Sequence, residues 1–259
     1  MNTKTPLISV VIPAYNEENE LPHCLYALTN QNLKEKVEVI VVNNNSTDKT
    51  EDIAKSYKAR IVRENRQGLI FAKQAGCEKA MGKIIAVLDA DNVPPKHWLR
   101  TIVELLSDNE VAAVTGPYII PKTAPWWARL HTTIGIELIE IFQFLTHTSP
   151  HLWGGNVAFR KKDFKKVGGY DTKFTFAADE VKLRKDLSKL GRIHHVRALA
   201  VTTSARRLKK GAYHFYVEFL LKGYILNYLT TLLLNKPLKH PENVREEEGS
   251  DEEAFTREP

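Results

Sequence analysis

Ile84-Ile85-Ala86-Val87-Leu88-Asp89-Ala90-Asp91 decides how this chain folds. Its first five residues are apolar, with no polar face, as in a strand covered on both sides of a sheet. Two carboxylates then flank one small residue, and Asn92, Val93 and Pro94-Pro95 turn the chain away. Open α/β sheets bind their ligands at the carboxyl ends of the strands. Two hard oxygen donors at a rigid strand tip can hold a divalent cation, and the cation a diphosphate. The plain alternative is a polar turn.

Outward from this strand the pattern repeats. Residues 7–12, 37–42, 60–62 and 111–115 are strand-like and rich in β-branched residues. Helical segments lie between them over 21–30, 49–56, 69–81 and 96–107. Near-continuous apolar strands alternating with helices indicate an α/β fold, a mostly parallel sheet with helices on both faces. The second half reads differently. A loop at 121–127 sets Trp126-Trp127 against something apolar. An amphipathic helix at 134–145, a strand at 153–159, helices at 161–167 and 180–190 and a last strand at 196–202 follow. Residues 211–236 read as a long apolar helix with His214, Glu218 and Lys222 on one polar face. Its longest uncharged run, 223–235, has 13 residues, short of the ~20 that cross a bilayer. It is expected to pack on the body or to lie in the membrane interface. The acidic tail, 237–259, has no apolar face and reads as disordered.

Charge is uneven along the chain. The formal net is +6, but residues 240–259 carry eight acids and two bases, which leaves +12 on the rest. A basic body suits an anionic partner: a nucleoside diphosphate, an anionic membrane or a nucleic acid. No interleaved aromatic platform supports the nucleic acid. The two cysteines, Cys24 and Cys77, fall among apolar neighbours and read as buried free thiols, which suits a reducing cytoplasmic setting. Residues 1–6 show no signal-peptide pattern.

The loop after the first strand, Pro13-Ala14-Tyr15-Asn16-Glu17-Glu18, lacks the glycines of a dinucleotide fingerprint. Its polar side chains can meet a base or ribose, although Asn16 can equally cap the next helix. The second strand ends in Asn43-Asn44-Asn45-Ser46-Thr47-Asp48, amides and hydroxyls able to read a base edge or, at Ser46 and Thr47, to cap a helix. Ser204-Ala205-Arg206-Arg207 follows the last strand. Adjacent arginines can clamp phosphate oxygens, or simply face an anionic membrane. His194, His195 and His214 have no spacing that selects them as metal ligands.

Together these motifs resemble family 2 glycosyltransferases with a GT-A, Rossmann-like fold. The resembling pieces are 12–17, 42–48, Gly68-Leu69 with Ala72, 88–91, Gly154-Gly155-Asn156 through Arg160, Val167-Gly168-Gly169-Tyr170-Asp171, and an acid pair before Gly191. The resemblance covers roughly residues 7–205. It implies a transferase domain over 1–210, with a nucleotide-binding half at 7–116, an acceptor-binding half at 117–210, and a C-terminal helical extension. It implies a UDP- or GDP-type nucleotide-diphosphate sugar donor, bound by Pro13, Ala14, Tyr15, Asn16, Glu17, Asn43, Asn45, Gly68, Asp89, Ala90, Asp91, Arg206 and Arg207. The family usually has Asp where Asn43 stands; an amide can still accept through its carbonyl. Asp91, with Asp89, would hold Mg²⁺ or Mn²⁺, and Trp153, Gly154, Gly155 and Asn156 would meet the acceptor. The family's base is an acid of a Glu-Asp pair. Here the order is reversed, Asp179-Glu180, with Asp179 preferred and Glu180 second; an acid pair favoured by a helix N-terminus is the alternative. The implied reaction is inverting transfer of a hexose to a hydroxyl or a lipid-linked phosphate, in cell-envelope polysaccharide or glycolipid synthesis. Peripheral contact with the inner face of the membrane fits, and nucleic acid is not expected as a partner. The rivals are a nucleotidyltransferase that makes sugar nucleotides and a non-catalytic binding protein on the same scaffold.

Overall fold

The computed structural model describes residues 5–173, 178–208, 211–213, 216–217 and 221. Most of the expected helix at 211–236, and the tail at 237–259, lie outside the described residues.

Five strands of the first half form as the apolar runs predict: β1 (Ile8–Ala14), β2 (Val37–Asn43), β3 (Arg60–Arg63), β4 (Ile84–Leu88) and, after the short β5 (Asn92–Val93), β6 (Val111–Thr115). The helices between them are α1 (Leu21–Thr29), α2 (Thr50–Ser56), α3 (Leu69–Lys79) and α4 (Trp98–Leu105). The second half adds β7 (Tyr118–Ile119), α5 (Trp126–Thr146), β8 (Asn156–Arg160), α6 (Lys161–Lys166), α7 (Ala178–Leu187), β9 (Arg192–His195) and β10 (Val201–Thr203). The main sheet has seven strands in the order β3-β2-β1-β4-β8-β6-β9. All pairings are parallel except those of β8, which runs antiparallel to both β4 and β6.

Side-chain alternation splits the core into two layers. Ile8, Val10 and Ile12 of β1, with Ile84, Ala86 and Leu88 of β4, pack against α1 and α4, where Trp98 is wholly buried. Val11, Ile85 and Val87 face the other way, against α3, α6 and α7. Each such side chain taken from water contributes about 1.5–3 kcal/mol, so these strands form because both faces are covered. Cys24 and Cys77 are both free and buried. Among the described residues, no helix is long and apolar enough to cross a membrane.

The second half departs from the sequence expectation in several places. The helix expected at 134–145 starts eight residues earlier, at Trp126, because Pro125 fits the residue before a first turn and nothing after it breaks the helix. Trp126 is therefore on a helix and 70% exposed, not packed in a loop. The strand expected from Trp153 begins only at Asn156. The strand expected at 196–202 is two strands: β9 ends at His195, a 3₁₀ turn covers Arg197–Leu199, and β10 resumes at Val201.

Candidate active site

Register brings the nucleotide loops together first. The tips of β1 and β2 lie side by side, with Ala14 paired to Asn43. Beyond them Asn16 takes a left-handed backbone, φ 51°. Its backbone N–H donates to the Ser46 hydroxyl at 3.1 Å, and its side-chain Oδ1 accepts from the Thr47 N–H at 2.8 Å. The Glu17 N–H donates to buried Thr50 at 2.8 Å. Asn16 thus ties two loops instead of capping α1, and neither Ser46 nor Thr47 caps α2. Tyr15 is half-buried beside them, while Pro13 and Ala14 lie within the buried strand.

The asparagines divide their work. Asn43 donates to Glu51 at 2.8 Å and accepts from the Ser46 N–H at 2.9 Å, which leaves one N–H and one lone pair for a ligand. Arg63 hydrogen-bonds the same Glu51 and holds its pKa far below the ordinary range. Buried Asn44 donates to the carbonyls of Glu64 and Arg66 and accepts from the Gly68 N–H at 2.8 Å. Exposed Asn45 donates to the Asn65 carbonyl and to Gln67, so both its donors serve the loop. Gly68 has φ 137°, open to glycine alone without strain.

Asp89, Ala90 and Asp91 lie directly beyond β4, with Ala90 buried. Strand pairing then delivers their neighbours. Leu88 pairs with Asn156, and the Asp89 N–H donates to the Gly155 carbonyl at 3.0 Å. A Cβ on Gly155 would come within 2.0 Å of the Asp89 carboxylate, and one on Gly154 within 2.0 Å of Glu180. Both glycines are therefore required by close approach. The hydroxyl of half-buried Tyr118 accepts from the Gly155 N–H at 3.0 Å, and its ring packs edge-on to Trp153 at 4.8 Å. The buried indole N–H of Trp153 has no hydrogen-bond partner among the described residues. Asn156 is committed to the scaffold: it accepts from Trp98 and donates to the carbonyls of Gly116 and Leu199, at 1% exposure. That burial removes it from the acceptor contacts expected of it.

On the other side of Asp91, Thr203 of β10 pairs with Asn92 of β5. This pairing brings Ser204 to 3.2 Å from Asp91 and Arg206 to 2.9 Å. Arg206 also binds both oxygens of buried Glu17, at 2.8 and 2.9 Å. Burial opposes its charge, but Asp91 and Glu17 together raise its pKa above the ordinary value. The Arg207 side chain lies outside the described residues.

Beneath the glycines the acid pair meets a lysine that the sequence motifs miss. Lys73 of α3, 1% exposed, lies 3.8 Å from Asp179 and 3.6 Å from Glu180. The Asp179 side chain is 4% exposed and that of Glu180 18%. Burial pushes the Glu180 carboxyl up to about 7; Lys73 opposes this, Asp179 and Asp89 add to it, and a hydrogen bond from the Gly154 backbone opposes it. Of the two acids, Glu180 is the more accessible to solvent. The signal was present at Lys73, a charge placed among the inward positions Ile70, Gly76 and Cys77 of α3.

Do these residues suit a divalent metal? Glu17 and Asp91 converge on one cationic head, so the field between them favours a cation. Carboxylate oxygen is the donor that Mg²⁺ and Mn²⁺ take. No cluster of three His, Cys, Asp or Glu side chains that could hold a metal occurs among the described residues. A metal would therefore rest on one or two carboxylates and complete its shell from phosphate oxygens and water, as Mg²⁺ commonly does.

A GT-A sheet with an acid pair at the tip of its fourth strand defines a class of nucleotide-sugar enzymes. Residues 9–168 match the family described as Glycosyl transferase family 2, and the chain belongs to that family. Glycosyltransferase AglE of Haloferax volcanii is 37% identical over 123 residues, 45% of this chain and 40% of that protein. The probable glycosyltransferase YdaM of Bacillus subtilis is 32% identical over 210 residues, 74% of this chain and 48% of that protein. The chain thus spans about half the length, or less, of these curated relatives. Among solved structures, mannosyltransferase PcManGT from Pyrobaculum calidifontis, in complex with GDP-Man and Mn²⁺, superposes with a TM-score of 0.62 at 22% identity. That match covers 83% of this chain and 60% of that one. Glucosyl-3-phosphoglycerate synthase from Mycobacterium tuberculosis, in complex with Mn²⁺, uridine-diphosphate and glucosyl-3-phosphoglycerate, gives 0.59 at 22% identity, over 90% of this chain and 81% of that one. These likenesses establish the fold.

Proposed function

We propose that this chain moves a hexose, with inversion, from a UDP- or GDP-type nucleotide-diphosphate sugar to a hydroxyl or lipid-linked phosphate acceptor. Cell-envelope polysaccharide or glycolipid synthesis is the setting that suits it. The observation that carries the reading is the meeting of Asp89 and Glu180 under Gly155 and Gly154. In this reading it sets a donor end beside an acceptor end. The complexes of the two structural neighbours, with GDP-Man and with uridine-diphosphate, each with Mn²⁺, support the donor class.

In this reading Asn16, Glu17 and Asn43 border the nucleoside, and Asp89 meets the ribose or the sugar. Asp91 and Glu17 would hold the metal, Mg²⁺ or Mn²⁺, which when bound offsets charge on the leaving diphosphate. Arg206 stands where it can pass from Asp91 to the phosphate oxygens. Glu180 takes the proton of an acceptor hydroxyl as the anomeric carbon is attacked, and a pKa near 7 suits a base at neutral pH. Lys73 and Asp179 hold Glu180 in place. The Trp153-Gly154-Gly155 loop borders the acceptor sugar in this reading. A membrane-proximal acceptor fits the apolar second half.

Release of nucleoside diphosphate from UDP- and GDP-sugars tests the reading, with Mn²⁺ and with chelator, in the wild type and Asp91→Ala. Turnover that needs both Mn²⁺ and Asp91 is expected. A wild type that binds no nucleotide with or without metal would overturn it.

A further inference from the structure

The outward face of α5 is the largest feature that the transfer site leaves unused. A helix that is apolar nearly all round is normally buried. Of the 21 residues of α5, Ala128 alone is buried. Trp126, Leu130, Ile134, Leu138, Ile141 and Leu145 recur every three or four residues and share one exposed face. Phe144, at its far end, is 80% exposed. The stripe is straight and runs about 30 Å along the helix. An apolar strip of that size on a soluble body marks a docking surface.

The other side of α5 is fastened to the sheet. Gln143 donates to the His195 carbonyl of β9 at 3.0 Å and accepts from the His195 N–H at 2.6 Å. Glu137 and Glu140 both bind Arg197, at 2.6 and 2.5 Å, so one arginine offsets part of their charge. The remaining charge near the helix is basic. Exposed Lys122 and Arg129 flank its first turn. Leu208 packs with Ala124 and Ala128 there.

We propose that this face docks the protein on an anionic lipid bilayer. The helix lies flat in the interface with its apolar stripe among the acyl chains, Trp126 at headgroup depth and Lys122 and Arg129 on lipid phosphates. Charge decides between occupants. A second copy would set one basic end and a net +6 chain against another, whereas an anionic bilayer meets both the apolar and the basic parts. Tyr216 packs on Trp127 and His131 of the same helix, at 5.5 and 5.4 Å. Seven residues join α5 to Gly154. A docked α5 would therefore hold the acceptor loop close to the lipid surface; this part rests on the transfer reading, while the docking surface does not.

Flotation of the full chain with phosphatidylcholine vesicles, with and without phosphatidylglycerol, tests the proposal. The wild type is expected to float with the anionic vesicles and far less with the neutral ones. Leu138→Glu with Phe144→Glu is expected to cut flotation on the order of tenfold. Leu130→Ser with Leu145→Ser should do the same, and Met81→Glu, exposed elsewhere, should not. Far-UV circular dichroism checks that each variant is folded. Flotation of both double variants at the wild-type level would overturn the proposal. So would a wild type that stays off anionic vesicles, or one that sediments as a dimer which Leu138→Glu dissolves. Sugar-nucleotide turnover in vesicle-free solution is read in parallel. Its absence in a wild type that floats would remove the transfer reading and leave the docking surface standing.

Discussion

The Arg206 guanidinium lies 2.9 Å from the Asp91 carboxylate and binds both oxygens of Glu17 with the same head. A cation of the protein's own thus stands between the two acids that a metal would use. Metal and arginine then compete for those acids, and a bound diphosphate gives the arginine another partner. Arg206→Ala is expected to bind Mn²⁺ several-fold more tightly without nucleotide. It should bind UDP or GDP in the presence of Mn²⁺ about tenfold more weakly, since a hydrogen bond to a charged group is worth about 1.5–3 kcal/mol. Titration calorimetry reads both. Opposite signs in one variant distinguish this exchange from a general loss of structure.

Glu180 sets the expected pH profile. Its carboxyl is pushed up to about 7, chiefly by burial. The base is the ionised form, so below that value it is protonated and idle. With a hydroxyl acceptor, kcat/KM should rise with unit slope toward pH 7 and level off above it. Glu180→Gln should lose about 10²–10⁴-fold and flatten the rise. Asp179→Asn should keep the rise but move it to lower pH, since Asp179 adds to the upward push; a flat profile in Asp179→Asn but not in Glu180→Gln would return the role to Asp179.

Lys73 supplies the positive charge nearest to Glu180 and opposes the upward push on it. Lys73→Met should therefore move the rise in kcat/KM to higher pH. It also leaves two buried carboxylates without their cation, at a cost of about 3–5 kcal/mol. Urea unfolding measures the second effect and the pH profile the first.

Gly154 and Gly155 leave no room for a side chain. A Cβ at either would meet a carboxylate at 2.0 Å. Gly155→Ala should displace Asp89 and Gly154→Ala should displace Glu180, each destabilising by about 1–3 kcal/mol. The two should differ in kinetics. Gly155→Ala raises the KM for the donor, and Gly154→Ala lowers kcat.

Much of this was legible in the residues. The apolar strands of the first half predicted the parallel core because strands buried on both faces have a period-free signature. The acid pair at 89 and 91 and the glycines at 154 and 155 fell where open sheets bind ligands. Other features depend on contacts far apart in the chain. That Asn156 serves the scaffold follows from Trp98, Gly116 and Leu199. That Arg206 reaches Asp91 follows from the pairing of Thr203 with Asn92. The break between β9 and β10 was hidden because Val196 and Val201 both read as strand while a 3₁₀ turn intervenes.

The antiparallel β8 gives the site its yardstick. Because Leu88 pairs with Asn156, the offset between Asp89 and the glycines at 154 and 155 is counted off along the strand in steps of one residue, about 3.3 Å each. Length changes in 120–152 leave that step count as it is. A single residue gained or lost between Gly154 and Asn156 would shift Gly154 by a whole step against Asp89, more than the proposed transfer would tolerate.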